Sequence, residues 1–145
     1  MVTRKKDEPI KILRDRGMRI TPQRIAVLQA VEVAGNHPDA ETVYQYVCGE
    51  YPRISRDTVY RILSVMEEEG IIGSVLNSGS SKRFDPNTGR HHHLICVRCK
   101  TIIDFTAKEL DHLPPPTAVT KGLKILRTTV NIEVVCKECL GGEKV

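Results

Sequence analysis

The sequence contains two pairs of cysteines, each with the spacing of a metal-binding knuckle. Cys96 and Cys99 form the first pair, and Cys136 and Cys139 form the second, with 36 residues between the pairs. Each pair can hold one ion from one side, so two pairs complete the tetrahedral thiolate shell that is typical of structural zinc. Disulfide bonds are the alternative, but the chain carries no recognisable export signal, and thiols inside cells stay reduced. The pattern therefore favours zinc.

Three consecutive histidines, His91, His92 and His93, precede an apolar segment with strand character. Because side chains alternate along a strand, His91 and His93 are expected on one face and His92 on the other. A His-x-His pair is a bidentate metal ligand, and the carboxylates of Asp104 and Asp85 can join it. A histidine-rich surface without a metal is the alternative.

His37 lies between the second and third predicted helices and is followed by Pro38. The proline is expected to hold His37 in an extended conformation. Taken alone, such a histidine is either a loop residue near a helix cap or a metal ligand.

The elements that must position these residues fall into two unlike halves. Residues 8–70 predict four helices, the later ones beginning at Thr21, Asp39 and Ser55, which are good N-cap residues. Two short strands at 71–76 and 81–84 then flank a turn at 77–80. Helices followed by a hairpin predict a winged helix-turn-helix domain.

The second half is rich in β-branched residues. Strands are expected at 93–95, 101–105 and within 124–135, with one short helix at 107–112. Turn-forming residues separate the halves, so the predicted organisation is a winged-helix domain at 1–84, a hinge at 85–90 and a second domain at 91–145. The fold class is therefore α+β, with a small α/β domain carrying the four-cysteine zinc site.

Composition narrows the class of protein. The 145 residues allow one ordinary domain or two small ones, and 40% hydrophobic content is normal for a folded chain. No apolar run is long enough to span a membrane, and the first residues do not resemble a signal peptide, so a cytoplasmic location is expected. The net charge is +4, but residues 1–24 hold eight Lys/Arg against three acids. A polyanion such as DNA is the partner that this basic segment favours.

Taken together, these motifs resemble the ferric uptake regulator family of bacterial metal-dependent repressors. The resemblance covers about residues 8–140. It is carried by Arg19-Ile20-Thr21-Pro22-Gln23-Arg24, His37-Pro38, Thr58-Val59-Tyr60-Arg61, Arg83-Phe84-Asp85, His91-His92-His93, Ile103-Asp104-Phe105 and both cysteine pairs.

The resemblance implies two metal sites and a homodimer. The four cysteines match the family's structural zinc site, and a second set matches its regulatory site for Fe²⁺ or Mn²⁺, namely His37, Asp85, His91, His93 and Asp104. One regulatory ion would tie the DNA-binding domain to the dimerisation domain. In a two-fold dimer this sets the spacing of two recognition helices, so the expected operator is an inverted repeat in double-stranded DNA.

The predicted recognition helix begins at Ser55. It presents Arg56, Thr58, Tyr60 and Arg61 near its start. Arg61 is suited to guanine, and the Tyr60 ring is suited to a thymine methyl group. By resemblance, Arg19 enters a narrow A·T-rich minor groove.

Within the family, aspartate at both Asp85 and Asp104 resembles the peroxide-sensing branch, because iron sensors usually have glutamate there. That branch implies iron-catalysed oxidation of His37 and His91, which releases the operator. An iron-responsive repressor without peroxide sensing is the alternative, and Arg61 after Tyr60 is common in such proteins. A non-haem iron enzyme and a purely structural zinc module are more remote, since no substrate pocket is apparent. The chain is therefore expected not to be an enzyme.

Overall fold

The structure is a computed structural model that describes residues 7–76 and 81–141. The chain divides into two compact units between Thr88 and Gly89. The predicted turn at 77–80, the front of the basic segment and residues 142–145 lie outside the described residues. Among the described helices, none combines the length and the apolar character needed to cross a membrane.

The first unit consists of helices followed by a small sheet. Its described elements are α1 (Asp7–Asp15), α2 (Pro22–Val33), α3 (Ala40–Glu50), α4 (Arg56–Glu68), β1 (Gly73–Val75) and β2 (Arg83–Asp85). Strands β1 and β2 pair antiparallel, with Ser74 opposite Phe84. This order and pairing confirm the predicted winged helix-turn-helix.

Three of the helices begin where the capping residues predict. Thr21 accepts a hydrogen bond from the Arg24 N–H at 3.2 Å. Asp39 accepts one from the Thr42 N–H at 2.8 Å, and Ser55 accepts one from the Thr58 N–H at 3.1 Å. Each side chain satisfies a backbone donor that has no partner inside its helix.

A continuous apolar core lies between these helices. Val59, Leu63 and Met66 on α4 are almost fully buried, at the helical spacing seen in the sequence. They pack with residues of α1, α2 and α3 in one cluster. Burial of this amphipathic face provides the main driving force for folding of the unit.

The second unit is built on a three-stranded sheet. Its described elements are β3 (His92–Cys96), β4 (Ile102–Phe105), α5 (Lys108–Asp111), α6 (Thr117–Thr120), β5 (Asn131–Val134) and α7 (Lys137–Gly141). The strand order is β4-β3-β5, with β4 antiparallel and β5 parallel to the central strand. Together the two units confirm the α+β class.

The strand expected within 124–135 is present but occupies only the last part of that range. Only Asn131–Val134 pairs with β3, and residues 124–130 form no described strand. Leu126 in this segment is 81% exposed, so this apolar side chain makes little contact with the described part of the chain. Helices α6 and α7 were not predicted, because four- and five-residue helices leave too short a pattern to detect.

Candidate metal centres and nucleic-acid interface

The four cysteines of the two pairs converge within the second unit. Their sulfur atoms all lie within 4.8 Å of one another. Cys96 Sγ lies 3.8 Å from Cys139 Sγ, and Cys99 Sγ lies 3.6 Å from Cys136 Sγ. A regular tetrahedron with Zn–S bonds of ~2.3 Å has sulfur–sulfur edges of about 3.8 Å. The donor set therefore fits a zinc ion, and the cysteines are free rather than disulfide-bonded.

The backbone around β3 and β5 creates this convergence. Cys96 ends β3 and lies opposite Val134 in the parallel pairing with β5. After Cys96 the chain reverses, with the Lys100 N–H donating to the Cys96 carbonyl at 3.0 Å and Lys100 at a φ of 65°. This tight turn returns Cys99 to the side of Cys96.

The polar environment of the sulfurs favours thiolates unequally. The Cys136 N–H donates to Cys96 Sγ at 3.4 Å, and backbone donors of this kind lower the pKa of Cys96 to about 5. The Thr101 hydroxyl, 3.2 Å from Cys99 Sγ, lowers the pKa of that thiol. Neighbouring Cys136 raises the pKa of Cys139 to about 12. Four adjacent thiolates need a cation to coexist, and a divalent ion provides that charge.

The first unit brings His37 and Asp85 together. His37 Nε2 lies 3.2 Å from Asp85 Oδ2, and both side chains are buried. Asp85 is the last residue of β2 and pairs with Gly73, so strand pairing fixes its position. Asp85 Oδ1 also accepts a hydrogen bond from the Asn87 N–H at 2.9 Å. The first unit therefore positions two potential metal ligands, an imidazole and a carboxylate, next to each other.

The prediction that Pro38 holds His37 extended is wrong. Gly35, Asn36 and His37 have φ values of 65°, 48° and 53°, which are left-handed. The Arg83 guanidinium donates hydrogen bonds to the carbonyl groups of Asn36 and His37. These contacts to β2 outweigh the local preference, because strained backbone persists where its surroundings fix it.

The second unit brings His91, His93 and Asp104 together. His93 lies directly opposite Asp104 in the pairing of β3 with β4, and its Nε2 is 3.4 Å from Asp104 Oδ1. His91 immediately precedes β3, and its Nε2 is 3.9 Å from the same oxygen. The two imidazole rings meet edge to face, with centroids 4.7 Å apart. The predicted alternation of side chains is confirmed.

Hydrogen bonds fix which nitrogen of each ring is available to a metal. Nδ1 of His91 lies 2.7 Å from the Gly89 carbonyl oxygen, and Nδ1 of His93 lies 3.1 Å from Asn131 Oδ1. Both oxygens are acceptors, so in the neutral form of each ring Nδ1 carries the proton and Nε2 has the lone pair that can bind a metal. Such second contacts orient histidine ligands in metal sites. The role of Asn131 is not evident from the sequence, because it depends on the parallel pairing of β5 with β3 at His93.

His92, on the opposite face of β3, has a structural role. It is fully buried, and its Nε2 lies 2.8 Å from Asp111 Oδ1. The Val130 N–H donates to its Nδ1 at 3.1 Å, and its ring lies 5.6 Å from that of Phe105. His92 therefore links the sheet to α5 and to the segment before β5. The alternation of side chains predicts its face but not these partners.

The residues proposed to contact DNA lie on the first unit in different local environments. Arg19 and Arg61 are exposed. Thr58 belongs to the helix cap, with its Oγ1 2.8 Å from Ser55 Oγ. Arg56 and Tyr60 both contact Glu41 on α3. The role of Glu41 is not evident from the sequence, because its partners are 15 and 19 residues away along the chain.

Comparison with known proteins identifies the family. The sequence model of the ferric uptake regulator family matches residues 15–133. The chain is 37% identical to the peroxide-responsive repressor PerR of Staphylococcus epidermidis over 133 residues, which cover 92% of this chain and 89% of that protein.

Solved structures agree. The Campylobacter jejuni peroxide stress regulator matches with a TM-score of 0.66 at 25% identity, covering 94% of this chain and 100% of that one. The Helicobacter pylori ferric uptake regulator shares the fold, with a TM-score of 0.74 at 24% identity and 97% coverage of both chains. These matches confirm the predicted regulator and leave the enzyme alternative without support. The chain belongs to the ferric uptake regulator family.

Proposed function

We propose that this protein is a metal-dependent transcriptional repressor that senses hydrogen peroxide. The observation that carries the proposal is the pair of imidazoles at His91 and His93, whose Nε2 atoms face the Asp104 carboxylate. This N/O donor set suits Fe²⁺ or Mn²⁺. The similarity to a peroxide-responsive repressor supports the choice of effector.

The proposed regulatory site joins two parts that are each preformed. The first unit contributes His37 and Asp85, and the second contributes His91, His93 and Asp104. We propose residues 85–90 as the hinge between a DNA-binding domain at 1–84 and a dimerisation domain at 91–145. A bound ion selects one arrangement of the domains, because it gains all five ligands only there. The four cysteines hold a zinc ion that stabilises the dimerisation domain.

The proposed partners are a second copy of the chain and operator DNA. Large apolar side chains of the second unit are exposed, including Val119, Leu123 and Leu126, which are 70%, 68% and 81% exposed. Apolar surface of this kind supports a homodimer. In such a dimer two α4 helices would reach successive major grooves about 34–36 Å apart, so the operator is an inverted repeat. A cytoplasmic location is part of the proposal, since a repressor must reach its operator.

We propose His37 and His91 as the residues that peroxide modifies. Fe²⁺ held by these residues would supply reversible one-electron chemistry, taking back its electron when the ring is oxidised, so that hydrogen peroxide is the net two-electron oxidant; Mn²⁺ would do so far less readily. Each modified imidazole gains one oxygen atom, and water is the other product. An oxidised imidazole is a poorer ligand, so the ion no longer holds the two domains in one arrangement. The protein then releases the operator. The zinc-bound thiolates are protected by their metal.

The test uses the purified chain loaded with Fe²⁺ or Mn²⁺ and a duplex selected from random inverted repeats by the Mn²⁺ form. We expect peroxide to release the duplex from the Fe²⁺ form only. Mass spectrometry should find one added oxygen on the peptides containing His37 or His91. His37→Ala and His93→Ala should lose metal-dependent binding, whereas the exposed histidine variant His112→Ala should keep it.

Two results would contradict the proposal in different ways. Binding that needs metal but is unaffected by peroxide, with unmodified histidines, would favour the iron-responsive alternative. Binding by His37→Ala that still depends on Mn²⁺ would show that the ligand assignment is wrong.

A further inference from the structure

Glu41, near the start of α3, contacts two of the proposed DNA-contacting residues on α4, Arg56 and Tyr60. Its Oε2 accepts hydrogen bonds from Arg56 Nε at 3.0 Å and from the Tyr60 hydroxyl at 3.1 Å. Its Oε1 accepts from Arg56 Nη2 and from Gln45 Nε2, both at 3.0 Å. One carboxylate therefore organises three side chains.

Arg56 is fixed from a second direction. Its guanidinium carbon lies 4.5 Å from the centroid of the Tyr44 ring. A guanidinium has five N–H donors in a planar fork, and Glu41 takes two of them. The remaining donors are available to an external acceptor such as a phosphate oxygen, in an orientation that Glu41 and Tyr44 define.

Tyr60 is affected differently. Its side chain is 39% exposed, but its hydroxyl donates to Glu41. With its donor used in this way, the exposed part of the residue is an oriented apolar ring. A ring in this state can contact the C5-methyl group of thymine, which distinguishes that base in the major groove.

The charge of Glu41 argues against a general role in DNA affinity. A carboxylate on a surface that faces phosphates opposes association with DNA. Hydrogen bonds from Arg56, the strongest influence, lower the pKa of Glu41 to about 2, so the group is ionised throughout the physiological range. An acid in this position is consistent with a contribution to orientation rather than to attraction.

We infer that Glu41 is a positioning residue for operator recognition. It fixes the Tyr60 ring against a thymine methyl group and orients the Arg56 guanidinium toward the phosphate backbone of the DNA. The inference rests on the proposed function and adds a residue that determines sequence specificity. Glu41 acts through Arg56 and Tyr60 and makes no base contact itself.

The experiment compares wild type, Glu41→Gln and Glu50→Gln with Mn²⁺ bound. Glu50 is an exposed acid at the end of the same helix, so its variant matches the change in charge. The probes are the selected inverted-repeat duplex, the same duplex with deoxyuridine replacing one thymine at a time, and an unrelated duplex. Circular dichroism of each variant establishes that the fold is retained.

We expect wild type and Glu50→Gln to bind about fourfold more weakly when deoxyuridine removes the critical methyl group, the effect of losing one buried methyl contact. For Glu41→Gln, the ratio of the affinity for the thymine duplex to the affinity for the deoxyuridine duplex should be near one at that position. Its binding to the unrelated duplex should be undiminished. A purely structural role of Glu41 would lower binding to all duplexes and leave the ratio unchanged.

The inference is overturned if Glu41→Gln keeps the full sensitivity to the methyl group, or if wild type is sensitive to no thymine. Failure of the proposed function is recognised separately. In that case wild type shows no metal-dependent preference for any duplex, and the basis of the inference is removed with it.

Discussion

The two units of the chain are stabilised by different means. In the first unit, 16 buried apolar residues form one cluster. Among the described residues of the second unit, only Ile95, Cys96 and Ile102 are buried and apolar. Units of this small size often need a metal or a partner subunit to fold. The comparison indicates that the first unit depends on its core, whereas the second depends on its zinc site, a buried histidine and its proposed dimer.

The largest effect should come from the cysteines. Cys96→Ser should remove zinc and unfold the second unit, because structural zinc contributes on the order of 10 kcal/mol to folding. The first unit should remain folded. Zinc content and hydrogen exchange resolved by residue would measure both outcomes, with Cys48→Ser as the control outside the cluster. If the zinc-free variant kept slow hydrogen exchange in β3, the second unit would not depend on its zinc site for folding.

The opposite test removes part of the apolar core. Leu63→Ala should destabilise the first unit by about 3 kcal/mol, since Leu63 is 1% exposed and its loss leaves a cavity. Zinc binding by the second unit should be unchanged. Urea unfolding would measure the difference against Leu76→Ala, because Leu76 is 71% exposed. Equal effects of the two substitutions would mean that the core has been wrongly assigned.

The buried histidine provides a smaller test within the second unit. Asp111→Ala should destabilise that unit by about 2 kcal/mol, because it leaves the Nε2–H of fully buried His92 without its acceptor. Glu109→Ala on the same helix changes the charge equally and should have little effect, since Glu109 is exposed. Thermal unfolding of the zinc-loaded protein would compare them. Equal unfolding midpoints for the two variants would show that the contact between His92 and Asp111 does not stabilise the unit.

The smallest effect should come from a helix cap. Ser55→Ala should destabilise the first unit by about 1 kcal/mol, because the Thr58 N–H loses its acceptor. Ser64→Ala, at an exposed position within α4, should not destabilise it. Denaturant midpoints would distinguish the two. A loss for both variants would indicate a role of hydroxyl groups other than capping.

Much of the first unit could be predicted because its signals are local. Thr21, Asp39 and Ser55 each bond a backbone N–H three residues ahead, so side chain and partner appear together in the sequence. The face of α4 likewise follows from helical spacing. The limits of β5 within 124–135 could not be predicted, because β-branched content alone does not show which residues have a neighbouring strand.

The candidate sites could be predicted in part. The cysteine spacing and the His-x-His alternation identify donors, since both depend on backbone geometry over a few residues. The left-handed conformation of His37 could not be predicted, because Arg83, 46 residues away, fixes it. The roles of Asn131 and Glu41 also escaped prediction, as each acts on a distant residue.

The sequence by itself determined which groups are available: four thiols in two pairs, histidines on alternating faces, capped helices and their apolar stripes. The tertiary structure decided which of these groups meet. Strand register set Asp104 opposite His93, and the parallel pairing of β5 brought Asn131 to the same histidine. Helix packing placed Glu41 against Arg56 and Tyr60. The physical reason is that spacing along the chain controls only short-range geometry, whereas contacts between distant residues arise from the packing and pairing of whole elements.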